Sequence, residues 1–167
     1  GLTPDDIAGI EISSFHNATR LALDIPQTTG KAQYSLPYPV AAALVFGQLG
    51  AREVSGETFD DPDVARLVAA TKVSECDECN ANFPADRLGR TVITTTDGRR
   101  LDSGIVRAPG EHTNPIDRAG LIEKFHGLTG PVLDDQRRGQ IEQAVFGLGA
   151  PGAKLTDLTR LLYAPVV

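Results

Sequence analysis

Thr91-Val92-Ile93-Thr94-Thr95-Thr96-Asp97-Gly98-Arg99-Arg100-Leu101 is the stretch on which the fold class turns. Val92 to Thr96 is β-branched at every position, which suits a pleated strand. Asp97-Gly98 is the dipeptide that a two-residue type I′ hairpin turn prefers, because both central residues of that turn take positive φ. Arg99 to Val106 supplies a return strand, so the pattern predicts an antiparallel hairpin over Thr91 to Val106.

Strand character reaches back to Lys72. A further strand is read at Ile7 to Phe15, where Ile10 and Ile12 alternate with Glu11 and Ser13 as on a half-buried sheet face. His16 to Lys31 carries Pro26, Thr28, Thr29 and Gly30 with little periodic apolar signal, and reads as a long irregular excursion of the functional or mobile kind. Leu36 to Phe46 reads as a helix with Pro39 in its first turn and Gly50 as its cap. Its residues are apolar on nearly every face, which predicts burial on all sides, with the hairpin and the Ile7 to Phe15 sheet packed on Val40 to Leu49. Asp61-Pro62-Asp63 starts a second helix whose stripe is Val64, Leu67 and Val68.

The last third is helical. Asn114-Pro115-Ile116-Asp117 opens a helix with Leu121, Ile122 and Phe125 on one face and Gly127 at its stop. Ile141, Ala144, Val145 and Leu148 mark another, and Leu155, Leu158, Leu161 and Leu162 a third, set off by the Gly149-Ala150-Pro151-Gly152 break. Strands first and helices later, without βαβ alternation, means α+β: a small antiparallel sheet packed with helices, followed by C-terminal helices. The division expected is an α+β domain over 1–112 and a helical segment over 113–167.

The chain has 167 residues, 41% apolar and 23% charged, which suits one domain with a small appendage and excludes wholesale disorder. A formal charge of −6 argues against nucleic acid and against anionic lipid as partners. The longest apolar run, Tyr38 to Leu49, falls short of the roughly 20 residues that a membrane helix takes. The polar Thr3-Pro4-Asp5-Asp6 start is no secretory pattern, and two cysteines make no disulfide framework, so a cytoplasmic location is expected. The chain contains no Met, which makes Gly1 a processing or cloning junction of something longer on this reading.

Chemical motifs are sparse. Cys76-Asp77-Glu78-Cys79 has the spacing of half a zinc site or of a redox pair. His112 and His126 stand alone, and a redox pair should open a helix after a strand with few acids between its thiols, so a plain surface loop is expected and no metal. Asp60, Asp61 and Asp63 read as helix-start residues, Arg99-Arg100 as a solvated strand edge, and His126 as facing a helix C-terminal dipole. Density of polar groups is found only between His16 and Tyr38, where Asn17, Arg20, Lys31, Gln33, Tyr34 and Ser35 accompany the histidine. Cations and hydrogen-bonding groups on such a segment suit a polycarboxylate, against the simpler reading of a polar loop that satisfies its own backbone.

The stretch Thr28-Thr29-Gly30-Lys31-Ala32-Gln33-Tyr34-Ser35-Leu36-Pro37-Tyr38-Pro39-Val40-Ala41-Ala42-Ala43-Leu44 resembles the signature of the MmgE/PrpD family. The elements around it follow in the family's order, from the Ile7 to Phe15 strand to Asn114-Pro115-Ile116 and Lys124-Phe125. That resemblance implies kinship with 2-methylcitrate dehydratase, cis-aconitate decarboxylase and iminodisuccinate epimerase. Those enzymes use no cofactor and move a proton next to a carboxylate on a small polycarboxylic acid. It further implies that this chain corresponds to the family's C-terminal lid and last helices, with an N-terminal helical domain as partner and homo-oligomers as the assembly. The family's principal acid/base residues, a lysine before the lid and a histidine and an aspartate of the helical domain, have no counterpart here. No catalytic residue is therefore assigned within the chain, and His16, Lys31, Gln33, Tyr34 and Ser35 are the substrate-binding candidates. Lys31 stands where the family commonly has an acidic residue. The alternative is a non-catalytic ligand-binding or assembly module.

Overall fold

In the computed structural model, which describes residues 2–165, strand β1 (Ile7–Ser14) is the axis of the first of two units, 1–114 and 115–167. It follows a short turn over Pro4–Asp6 that Thr3 and Asp6 close as a capping box. A four-residue helix α1 (His16–Thr19) and a five-residue helix α2 (Thr29–Gln33) come next. The excursion from His16 to Lys31 is thus pinned by two helical turns rather than irregular throughout.

Helix α3 (Pro37–Phe46) ends at Gly47, which takes φ +74 and donates its N–H to Ala43 O at 2.9 Å. Only glycine enters that conformation without a Cβ penalty, so Gly47 and not Gly50 is the cap. Pro37, Tyr38, Ala41 and Ala42 are buried, whereas Leu44 and Val45 are half-buried and Phe46 is exposed. An all-round apolar helix is therefore covered on one side only within this unit. Helix α4 (Pro62–Ala69) starts as its sequence predicts: Asp61 Oδ1 accepts the N–H groups of Asp63 and Val64 at 2.9 and 3.0 Å. Val64, Leu67 and Val68 form its buried stripe.

Strand β2 (Thr71–Glu75) returns parallel to β1, with Ile12 opposite Val73. The connection through α3 and α4 is a crossover between parallel strands, an arrangement that the strands-then-helices pattern does not anticipate. Helix α5 (Asp77–Asn82) interrupts the expected strand run, and Cys76 is its N-cap rather than part of a surface loop. Strand β3 (Leu88–Thr95) then lies antiparallel to β1 on its other side, with Ile93 opposite Ile10.

The hairpin to β4 (Arg100–Asp102) turns through Thr96, Asp97 and Gly98. Only Gly98 has positive φ (+85), so the loop is a three-residue turn ending in a left-handed glycine, not a type I′ turn. The Asp97 carboxylate favours this form by accepting from the Thr95 hydroxyl and from Arg99 Nε, the latter at 2.8 Å. A short β5 (Val106–Arg107) pairs with the start of β3, giving a mixed sheet in the order β2-β1-β3-β4.

One sheet face, with Ile10, Ile12 and half-buried Val73 and Ile93, packs on Tyr38, Ala41, Ala42, Val64 and Leu67. Burying each large aliphatic side chain contributes about 1.5–3 kcal/mol, and this layer is the unit's main source of stability. Tyr38 is fully buried, and its hydroxyl donates to Glu53 O at 2.9 Å beside Thr58 Oγ1. The fold is α+β.

In the second unit, α6 (Arg118–Thr129), α7 (Asp135–Gly147) and α8 (Leu155–Tyr163) follow in sequence. Asp117 Oδ1 accepts Gly120 N at 2.8 Å, and Asp134 Oδ1 accepts Arg137 N at 2.7 Å. Helix α6 runs through Gly127, because one interior glycine costs only about 1 kcal/mol and does not end a helix by itself. His126 accordingly bonds through Nε2 to Glu142 on α7 at 3.1 Å. Arg137 of α7 clasps the end of α8, donating to Leu161 O at 2.6 Å and Pro165 O at 2.7 Å. Only Ile141 and Leu158 of these helices are buried.

No helix among the described residues is long and apolar enough to cross a membrane.

Candidate functional site

The carboxyl ends of β1 and β2 lie side by side, since the two strands are parallel and in register. Cys76 N–H continues their ladder to Ser14 O at 2.9 Å, which brings the head of α5 against the head of α1. Three polar side chains meet there. His16 Nδ1 is 2.7 Å from Glu75 Oε1, Asn80 Nδ2 donates to Glu75 Oε2 at 3.0 Å, and Asn80 Oδ1 accepts the His16 backbone N–H at 2.6 Å. Phe15 and Phe83 stack at 4.4 Å beside this ring of bonds.

Hydrogen bonds from His16 and then Asn80 hold the Glu75 carboxyl below its ordinary range, so it is ionised at neutral pH and can only accept. Nδ1 must then carry the proton in the neutral ring. Nε2 is left with its lone pair and, among the described residues, has no hydrogen-bond partner. The side chains of His16 and Glu75 are 54% and 48% exposed, so the imidazole faces solvent while its orientation is set from behind. A carboxylate that fixes a histidine's tautomer in this way prepares it to accept or deliver a proton at the other nitrogen.

The other candidates lie on and just after α2. Thr28 Oγ1 caps this helix by accepting Lys31 N at 3.2 Å, and fully buried Ala32 anchors it to the core. Lys31 and Gln33 are exposed, and Tyr34 is 69% exposed with its carbonyl accepting Ala22 N–H at 3.1 Å. Ser35 is buried, and its Oγ accepts Tyr38 N at 3.3 Å at the head of α3. Lys31, Gln33, Tyr34 and Ser35 are thus gathered on one short segment, three of them facing water. No hydrogen bond or ion pair among the described residues joins His16 to them.

Glu75 and Asn80 are the partners of His16 that sequence reasoning missed, because each is remote from it and ordinary in its own local pattern. A second polar surface was also missed. On the sheet face opposite the core, Glu11, Ser13, Lys72, Ser74, Arg90 and Arg100 line a shallow concavity of about 320 Å³. The period-two recurrence of polar residues, Glu11 with Ser13 and Lys72 with Ser74, was the available signal. Arg100 is not merely solvated: it donates to both Glu11 carboxylate oxygens, at 3.2 and 3.1 Å, and holds that carboxyl below its ordinary range. Arg90 does the same for Asp102. Among the described residues no group of three or more His, Cys, Asp or Glu side chains converges as metal ligands would.

The MmgE/PrpD C-terminal domain matches residues 1–148, and the chain belongs to the MmgE/PrpD family. It is similar to the cis-aconitate decarboxylase of Aspergillus terreus, 28% identical over 141 residues that make up 82% of this chain and 27% of that protein. It is likewise similar to the cis-aconitate decarboxylase-like protein oryM of Aspergillus oryzae, 28% identical over 138 residues, 82% of this chain and 28% of that protein. The chain therefore spans little more than a quarter of the length of these relatives.

Proposed function

We propose that this chain is the C-terminal portion of an enzyme that transfers a proton next to a carboxylate of a small polycarboxylic acid, in a dehydration, decarboxylation or epimerisation. Decarboxylation is the first of these to test, given the likeness to cis-aconitate decarboxylases. The observation that carries the reading is His16, exposed at a strand end with Nδ1 committed to Glu75 and Nε2 open.

Such chemistry needs a base within hydrogen-bond reach of the proton and cations near the charge that develops. In this reading His16 takes a proton at Nε2 and donates it in a hydrogen bond to a substrate carboxylate, beside the exposed Lys31, Gln33 and Tyr34, and together they exclude water when the lid closes. Ser35 supports them from the core side. The principal base and acid come from an N-terminal helical domain of the same protein, and the exposed apolar residues of α6 to α8 pack on that domain or on a second copy. No metal or cofactor enters the scheme.

The test is an assay of the pure chain with cis-aconitate, 2-methylcitrate and iminodisuccinate. No turnover is expected, because loss of a general base removes about 10²–10⁴-fold in rate and loss of positioning removes more. Joined to a helical domain encoded in frame upstream of Gly1, the chain should give turnover that falls in the His16→Ala variant. Turnover by the pure chain, or full activity of that variant, would overturn the proposal.

A further inference from the structure

Cys76 and Cys79 are left unused by the proposed function, yet the fold places them with care. Cys76 follows β2 directly and is tied to the sheet through its N–H bond to Ser14 O. Its Sγ accepts the N–H of Cys79 at 3.3 Å. This cap bond sets Cys76 Sγ against the first turn of α5, which carries Cys79, and gives the proximity that a disulfide requires. Neither sulfur is oxidised, and the two differ in access: Cys76 is half-buried, while Cys79 is fully buried in the core side of α5.

We propose that Cys76 and Cys79 form a dithiol that exchanges with uncharged small-molecule disulfides, Cys76 making the attack and Cys79 resolving it. The Cys76 thiolate attacks one sulfur of RSSR; a Cys76–SR bond forms as the RS–SR bond breaks, and the departing RS⁻ takes a proton. The Cys79 thiolate then attacks Cys76 Sγ, closing the Cys76–Cys79 bond and expelling the second RS⁻, which is likewise protonated. The protein loses two electrons and two protons, and RSSR gains them as two RSH. The named oxidant is the small disulfide itself.

Burial assigns the order. It pushes the Cys79 thiol up to about 11, with the Cys76 thiol and Glu78 adding to the effect, so Cys79 stays protonated while Cys76 attacks. The intervening Asp77 and Glu78 are exposed and anionic, which disfavours anionic disulfides and selects uncharged ones. This inference rests on the cysteines alone and is independent of the proposed function.

The experiment treats the chain with bis(2-hydroxyethyl) disulfide, quenches with iodoacetamide and weighs the intact protein. The wild type should lose two hydrogen masses, take up no alkyl group, retain no adduct and regain both alkylatable thiols on reduction. Cys79→Ala should accumulate a single mercaptoethanol adduct at Cys76, and Cys76→Ala should react about tenfold or more slowly. A wild type that is still doubly alkylated in excess disulfide overturns the proposal, as does one that retains stable adducts. Equal reaction rates of the two variants overturn the assigned order, and the wild-type mass needs no variant to fold.

Discussion

His16 and Glu75 stand 2.7 Å apart across the ends of two parallel strands, and Asn80 closes the contact by bonding to both. The pairing sets the tautomer of an exposed imidazole from behind, and an exposed pair of this kind adds little to stability.

The first prediction concerns that tautomer. In the neutral ring of the wild type, ¹⁵N shifts should report a protonated Nδ1 and a bare Nε2, whereas Glu75→Ala should show a mixture. Because the folded pKa of Glu75 is depressed, the contact is fully present above the ordinary carboxylate range and is lost as pH falls through the folded value. Glu75→Gln should abolish that acid-side change in the His16 signals. An unchanged tautomer in Glu75→Ala contradicts the assignment.

Tyr38→Phe removes a buried hydroxyl that donates to Glu53 O, a carbonyl that Thr58 Oγ1 also serves at 3.1 Å. The expected loss is about 1–2 kcal/mol in urea unfolding with an unchanged m-value. Stability equal to the wild type would mean that the hydroxyl's bonds contribute nothing.

Leu67→Ala opens a cavity under the sheet and should cost about 2–5 kcal/mol, whereas Asp61→Ala removes only a helix cap and should cost about 1 kcal/mol. Reversal of that order by urea titration would contradict the core described here.

The second unit should make the isolated chain associate. Leu155, Leu162 and Tyr163 on α8 are 64%, 55% and 87% exposed, a surface that monomers rarely leave bare. Light scattering should show a mass that rises with concentration, and Leu155→Ser with Leu162→Ser should lower it. A strict monomer that binds no hydrophobic dye would count against this.

Much of the fold was legible from local chemistry. Asp61-Pro62-Asp63 announces a cap, and Asp97-Gly98 announces a hairpin, because both depend on neighbours in sequence. The type of hairpin was not legible, since it depends on Asp97 choosing to bond Thr95 and Arg99 rather than to adopt positive φ. Likewise Gly47 and Gly50 are equivalent as written; the structure separates them, Gly47 taking φ +74 with its N–H on Ala43 O and Gly50 giving its N–H to Glu53 Oε2 at 2.8 Å. The parallel pairing of β1 with β2 was hidden because α3 and α4 read as separate elements. That pairing is what brings Glu75 to His16, so the histidine could be read as a candidate but its partners could not.

An NMR titration of the ¹⁵N-labelled chain with tricarballylate reads whether His16 and the exposed face of α2 receive a polycarboxylate, as proposed. Saturable shifts are expected at His16, Lys31, Gln33 and Tyr34, and those of the α2 segment should disappear in His16→Ala. Saturable shifts confined instead to Lys72, Arg90 and Arg100, or no saturable shift at His16 and α2, would contradict that proposal.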